Sequence, residues 1–257
     1  MPVVRCVRWL RVLPPLQRGS QNVLRDDWNC FPPPDETREF IDEWGNRVLE
    51  LRHARIEREF RFDLRLETAR QNCEADIDEG VPSTGLGAFL LPSSLCDAGA
   101  TVRAAVEELS LERGTAQHDA AQAALQICTW THRALRYEMD LSLSAFPISA
   151  SQALERRTGM CQEFAHVMIA LCRSAGLAAR YVSGYIPAEG LMHAWVEVLC
   201  GGVWLAFDPT HDRPAQPDCV FVASGRDWRD VKPLEGTYFG RAQARLQVWC
   251  RTEIGAA

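Results

Sequence analysis

Hydrophobic and polar positions change their rhythm once along this chain. Over the first hundred residues the apolar positions alternate or fall in short β-branched runs. Such runs occur at residues 3–13 and 47–51. A longer one covers 54–68, where Ile56, Phe60, Phe62, Leu64 and Leu66 mostly keep even parity. Gly45-Asn46 fits a turn between strands, and Pro32, Pro33 and Pro34 mark a loop or a sheet edge. This half is predicted to form an antiparallel sandwich, or a sheet leaning on the rest. Residues 79–97, rich in Gly, Pro and Ser, read as a linker. From Thr101 the period becomes helical: Val102, Val106 and Leu109 mark a helix ending near Gly114. Ala124, Ile127, Cys128, Thr131 and Leu135 stripe a second over residues 120–137. Ser149 with Gln152 makes a capping box for a short third helix. A fourth begins after Gly159, with Phe164, Met168, Leu171 and Cys172 at helical spacing and Gly176 as its stop.

Two further runs, 193–200 and 203–207, flank Gly201-Gly202, a dipeptide that tolerates positive φ, and read as a hairpin. A two-residue loop pairs Cys200 with Val203. In that register Asp208 and His193 are diagonal neighbours on one face of the sheet. Pro209 then stops the ladder. The chain divides in expectation into a β-rich unit over residues 1–96 and an α+β unit over 97–257.

Candidate chemistry concentrates in the second unit. Cys161 opens its helix directly after a glycine break. A thiol in a first helical turn feels the positive end of the dipole, which favours the thiolate, and free N–H groups there suit an oxyanion. His193 is the candidate base and Asp208 the candidate group that orients it. Spacing alone places His193 near Asp208; it does not place Cys161 near His193. The Cys161 N–H is the expected oxyanion donor, with Tyr137 and Gln152 as weaker candidates. Trp195 is expected to shield the His193–Asp208 contact or simply to fill the core, and Tyr185 to wall the cleft; with Gln162, beside the cysteine, they are the expected substrate-binding residues. His166, five residues after Cys161, points away from the thiol. His211 and Asp212 follow no known metal-ligand spacing.

The strings G-M-C-Q-E-F-A-H, A-R-Y-V-S-G-Y, H-A-W-V-E-V and F-D-P-T together resemble the bacterial transglutaminase-like superfamily, whose members are often described as candidate cysteine proteases. The similarity is strong over residues 149–240. Upstream, D-E-W-G-N-R-V at residues 42–48 resembles the N-terminal region that often precedes the family's core. The resemblance implies a papain-like core in which Cys161, His193 and Asp208 form a catalytic triad. Gln162-Glu163 after the cysteine, where members more often carry Arg-Asp, and Met192 before the histidine depart from the usual pattern. The implied activity is acyl transfer on a peptide or protein amide through a thioester, with hydrolysis favoured. Cross-linking transglutaminase, biosynthetic amide formation and a non-catalytic scaffold are the alternatives.

Composition narrows the partners. Of 257 residues 47% are hydrophobic and 24% charged, ordinary values for a chain able to bury a sizeable core. A net charge of −6 argues against nucleic acid as an obligate partner. Ten cysteines with no C-x-x-C pair give no zinc-ribbon or redox-pair signal, and free thiols fit a reducing cytoplasm. The arginine-interrupted start is a poor secretory signal, and no run approaches the ~18 apolar residues of a membrane span. No metal or other cofactor is expected.

Overall fold

The computed structural model describes residues 2–70, 85–110, 119–139, 146–187, 189–190, 192–216, 218–241 and 250–251. The first six strands are β1 (Val3–Leu10), β2 (Gln17–Arg18), β3 (Gln21–Phe31), β4 (Glu36–Ile41), β5 (Arg47–Ile56) and β6 (Arg61–Arg70). Helices α1 (Ala100–Glu108) and α2 (Ala120–Ala134) follow, then the short strand β7 (Arg136–Tyr137), α3 (Ala150–Arg156) and β8 (Thr158–Gly159). Helix α4 (Cys161–Ser174) leads into β9 (Ala179–Tyr185), β10 (Glu189–Gly190), β11 (His193–Cys200), β12 (Val203–Asp208), β13 (Arg213–Pro214) and β14 (Val220–Gly225). Strands β15 (Leu234–Phe239) and β16 (Cys250–Arg251) complete the series.

The N-terminal strands form two antiparallel sheets, ordered β15-β1-β5-β4 and β2-β3-β6. Leu10, Leu49 and Leu51 from one sheet pack with Cys30, Trp28, Phe62 and Leu64 from the other, so the shared core is that of a sandwich. Two expectations need correction here, and two strands are new. The run at 54–68 is two strands, because the chain turns after Ile56 and resumes at Arg61. Even parity persists across that turn, which hides it. Strands β3 and β4 carried no expectation: their sequences are largely polar, and β4 is an exposed edge. The expected linker is no loose tether over its described residues. Leu86–Phe89 forms a 3₁₀ turn, and Phe89, Leu95 and Cys96 are buried. The Gly, Pro and Ser that suggested a linker shape a tight, packed loop. Residues 79–84 and Gly114 lie outside the described residues.

The second layer is a five-stranded antiparallel sheet ordered β13-β12-β11-β9-β14. Helix α4 lies against β9 and β11, and α1, α2 and α3 cover its other sides. Twelve of its fourteen residues are therefore buried, and the helix is apolar nearly all round rather than along one stripe. The α2 helix stops at Ala134, three residues short of expectation, because Arg136 and Tyr137 leave it to pair in parallel with Thr158 and Gly159. The capping box on α3 is present: Ser149 Oγ accepts from Gln152 N–H, and Gln152 Oε1 accepts from Ser149 N–H. Gly176, at φ 85°, ends the α4 segment in the left-handed region.

Ion pairs on a buried carboxylate tie the two layers together. Glu197 on β11 accepts from Arg180, its direct partner on β9, at 2.7 Å, and both its oxygens accept from Nη2 of Arg18 at 2.9 Å. Arg180 lies over Trp204 and Arg18 over Phe221. Gln21 exchanges two hydrogen bonds with the Phe221 backbone, and Asn46 does the same with Ser224.

Candidate active site

The Gly-Gly hairpin sets the site's geometry. Gly201 and Gly202 both have positive φ, 60° and 89°, the backbone of a tight hairpin turn. Cys200 pairs with Val203, and the register runs unbroken to Val196 opposite Phe207. The far end of the hairpin therefore brings the first residue of β11 next to the last residue of β12. His193 Nε2 hydrogen-bonds Asp208 Oδ2 at 2.9 Å, and both side chains are buried. The first residue of α4 reaches the same end of the sheet, where Cys161 lies near enough to the His193 imidazole to raise its proton affinity. With Nε2 turned to Asp208, Nδ1 is the ring nitrogen left for the sulfur. The three residues that the sequence placed in separate segments thus meet.

Electrostatics follow from this packing. Burial disfavours a charged imidazole, but the hydrogen bonds to Asp208 and Cys161 outweigh it and raise His193 from 6.5 to about 10. Burial likewise opposes charge on Asp208, yet His193 and His211 hold its carboxyl below the usual range. Elsewhere burial pushes Cys96 and Cys128 up to about 12 and Cys200 to about 11, and raises Cys172 further. Those thiols stay protonated at neutral pH and behave as small hydrophobes.

Glu163 braces the cysteine's helix. Its Oε2 accepts from Met160 N–H at 2.9 Å and its Oε1 from Ile148 N–H at 3.3 Å, with the side chain fully buried. A carboxylate three residues into a helix that reaches back to the capping residue suits both the free N–H groups and the dipole. Gly159 owes its place to close approach: a Cβ there would stand 2.5 Å from Glu163 Cβ. Its φ is not positive, so the sequence's glycine break is a packing requirement.

Asp208 has more partners than the sequence suggested. His211 Nδ1 lies 2.7 Å from the same Oδ2 that His193 uses, and Thr210 N–H donates to Oδ1 at 3.0 Å. Helix α2 clamps the turn that follows. His132 Nδ1 donates to the carbonyls of Thr210 and Pro209 at 3.1 and 3.3 Å, and Thr129 Oγ1 donates to Asp212 Oδ1 at 2.7 Å. Thr129 and His132 sit three apart on one helix face, the only sequence trace of this clamp. His193, Asp208 and His211 are also the group of described residues whose atoms lie close enough together to hold a metal ion. Their contacts of 2.7 and 2.9 Å on one shared oxygen are those of charge-assisted hydrogen bonds.

The remaining expected site residues are distributed differently. Trp195 is buried, with its ring stacked on His193 at 6.4 Å and closed over by Gly184, so it packs the imidazole from behind and does not line an open cleft. The Tyr185 hydroxyl donates to Val12 O, which ties it to the N-terminal layer in place of a substrate. Gln162 is half-buried beside Cys161 in the first turn of α4. Gln152 is engaged in the α3 cap, away from any oxyanion role. Tyr137 is half-exposed and packs at 6.4 Å on Phe164; burial raises its hydroxyl. His166 is fully buried against Tyr181, accepts from Trp228 N–H, and is lowered to about 4 by burial, so it is neutral.

Comparison with known proteins agrees with this architecture. An uncharacterized protein of Mycobacterium leprae is 35% identical over 141 residues, which cover 51% of this chain and 50% of that protein. An uncharacterized protein of Mycobacterium tuberculosis is 37% identical over 109 residues, 36% of this chain and 35% of that one. The chain thus spans half or less of the length of the curated relatives it matches. A crystal structure from Cytophaga hutchinsonii, described as a "Putative Cysteine Protease", superposes with a TM-score of 0.67 at 24% identity, over 93% of this chain and 87% of that one. That likeness extends the shared fold across both layers. Residues 108–209, which hold Cys161, His193 and Asp208, match the transglutaminase-like superfamily core.

Proposed function

We propose that the protein is a cysteine-dependent enzyme that cleaves an amide through a thioester on Cys161. The observation that supports this most is the single imidazole of His193, hydrogen-bonded to a buried carboxylate and raised by a nearby thiol at a helix N-terminus. In the first half-reaction the Cys161 sulfur attacks the carbonyl carbon with its proton held on the His193 imidazole, whose raised proton affinity favours that transfer. The Cys161 N–H meets the developing oxyanion. His193 returns the proton to the leaving nitrogen, an amine or ammonia departs, and the acyl group remains on sulfur. Water then attacks the thioester and gives up a proton to His193; the acid leaves and the thiol is restored. Asp208 fixes the imidazole's tautomer and stabilises its charged form throughout.

Hydrolysis asks for fewer features than cross-linking. Amine transfer needs a second groove that admits the amine and excludes water. We therefore assign a peptidase, amidase or deamidase activity on a peptide or protein substrate. The eight described cysteines are free thiols, which supports work in a reducing compartment such as the cytoplasm. No described helix is long and apolar enough to cross a membrane.

Mass spectrometry of the protein quenched during turnover of a peptide-amide library tests the reading. The expected product is an acyl adduct on the peptide bearing Cys161, absent from Cys161→Ala. Turnover that persists in Cys161→Ala would overturn it.

A further inference from the structure

We propose that His211 is a positioning residue: its ring fixes the Asp208 carboxylate, and through it the aim of His193 at the sulfur. This rests on the reading of Cys161 as the nucleophile. Asp208 ends its strand, so its carboxyl group is free to turn about the last side-chain bond unless its oxygens are held. Oδ1 has Thr210 N–H at 3.0 Å, and Oδ2 has two imidazoles, His193 at 2.9 Å and His211 at 2.7 Å. With His211 in place, Oδ2 is held from two directions, and His193 is not its sole anchor.

The placement of the ring is telling because His211 has a free alternative. Its side chain is 41% exposed, while that of Asp208 is 4% exposed. A surface histidine with no task would leave its ring in water. This one turns inward, to 5.3 Å from the His193 ring. The turn that carries it does not need the ring. His211 N–H donates to Asp208 O, His132 donates to the Pro209 and Thr210 carbonyls, and Thr129 holds Asp212, whose φ of 51° is already left-handed. Backbone shape and ring contact are therefore separable, and a substitution of the ring reports on the carboxylate. The titratable groups around Asp208 are His193, His211, His132, Asp212, Cys128 and Cys219.

The test compares His211→Ala with His211→Asn, because the asparagine side-chain N–H sits where Nδ1–H of histidine does. The readout is the rate of iodoacetamide alkylation of Cys161 as a function of pH, followed by peptide mass spectrometry, with the unfolding midpoint measured in parallel. His211→Ala is expected to slow alkylation about tenfold at neutral pH and move its pH midpoint, the size of one hydrogen bond to a charged group. His211→Asn is expected to restore the rate to within about threefold of wild type, and neither variant to move the unfolding midpoint appreciably. Wild-type rates in both variants, or equal losses in both, would overturn the proposal. His193→Ala separates the two readings: if it leaves Cys161 alkylation unchanged, the nucleophile assignment itself fails. If it abolishes fast alkylation while His211→Ala does not, the positioning role alone fails.

Discussion

A buried imidazole between a thiol and a carboxylate has a stability consequence that can be measured. His193 is raised from 6.5 to about 10 on folding, so its charge stabilises the folded state fully below about pH 6.5, and that contribution fades as pH climbs towards 10. Asp208 is shifted the other way, and its contribution is lost on acidification through the carboxylate range. The melting temperature of wild type minus that of His193→Gln should therefore shrink steadily between pH 6.5 and 10; a constant difference would contradict the assigned contacts. Asp208→Asn keeps the shape and removes the charge, and should lower turnover by about a hundredfold or more, since orienting a general base is worth that much. Kinetics on any accepted amide would measure it. At this scale Cys161, His193 and Asp208 stood out as candidates because nucleophile, base and orienter each demand a particular residue type in a particular local setting. His211 and Glu163 were not, because a shared carboxylate oxygen and a reach-back cap are set by turn geometry that spacing does not encode.

Among the elements, β11 and α4 hold the buried charges whose removal can be measured. Removing Glu197 would take from buried Arg180, and from half-buried Arg18, the carboxylate they share. Glu197→Ala should destabilise by about 3–5 kcal/mol, the cost of an uncompensated buried charge. Urea unfolding would report it, and a loss below about 1 kcal/mol would show the pair to be solvated. Gly159→Ala forces a methyl into Glu163, and should cost about 1–3 kcal/mol while slowing the chemistry of Cys161, because the first turn of α4 must shift. The hairpin and α4 were legible from Gly-Gly and the helical repeat. The split at 54–68 was not, since Ile56 and Phe62 keep the same parity across the turn. The polar β3 and β4 gave no periodic signal at all.

For the whole molecule the two layers read as coupled. Strand β15, late in the chain, pairs with β1 in the N-terminal sheet, and polar side chains of Gln21 and Asn46 complete backbone groups of β14. Asn46→Ala would leave the Ser224 N–H and carbonyl without their partner in a buried place, and should lower stability by about 1–3 kcal/mol. We expect far-UV circular dichroism and tryptophan fluorescence to give one common midpoint, shifted equally by this variant; separate midpoints would mean the layers unfold independently. None of this was visible in the sequence. Pairing between residues more than two hundred positions apart leaves no local mark, whereas the change from a two-residue to a helical period did announce an α+β chain.

The most direct test of the central claim is competitive alkylation of the native protein at neutral pH. Burial raises Cys96, Cys128, Cys172 and Cys200 well above an ordinary thiol. Cys161 should react at least about tenfold faster than any of them, and His193→Ala should erase that advantage. Uniform labelling, or a Cys161 rate indifferent to His193, would contradict a nucleophile activated by that imidazole.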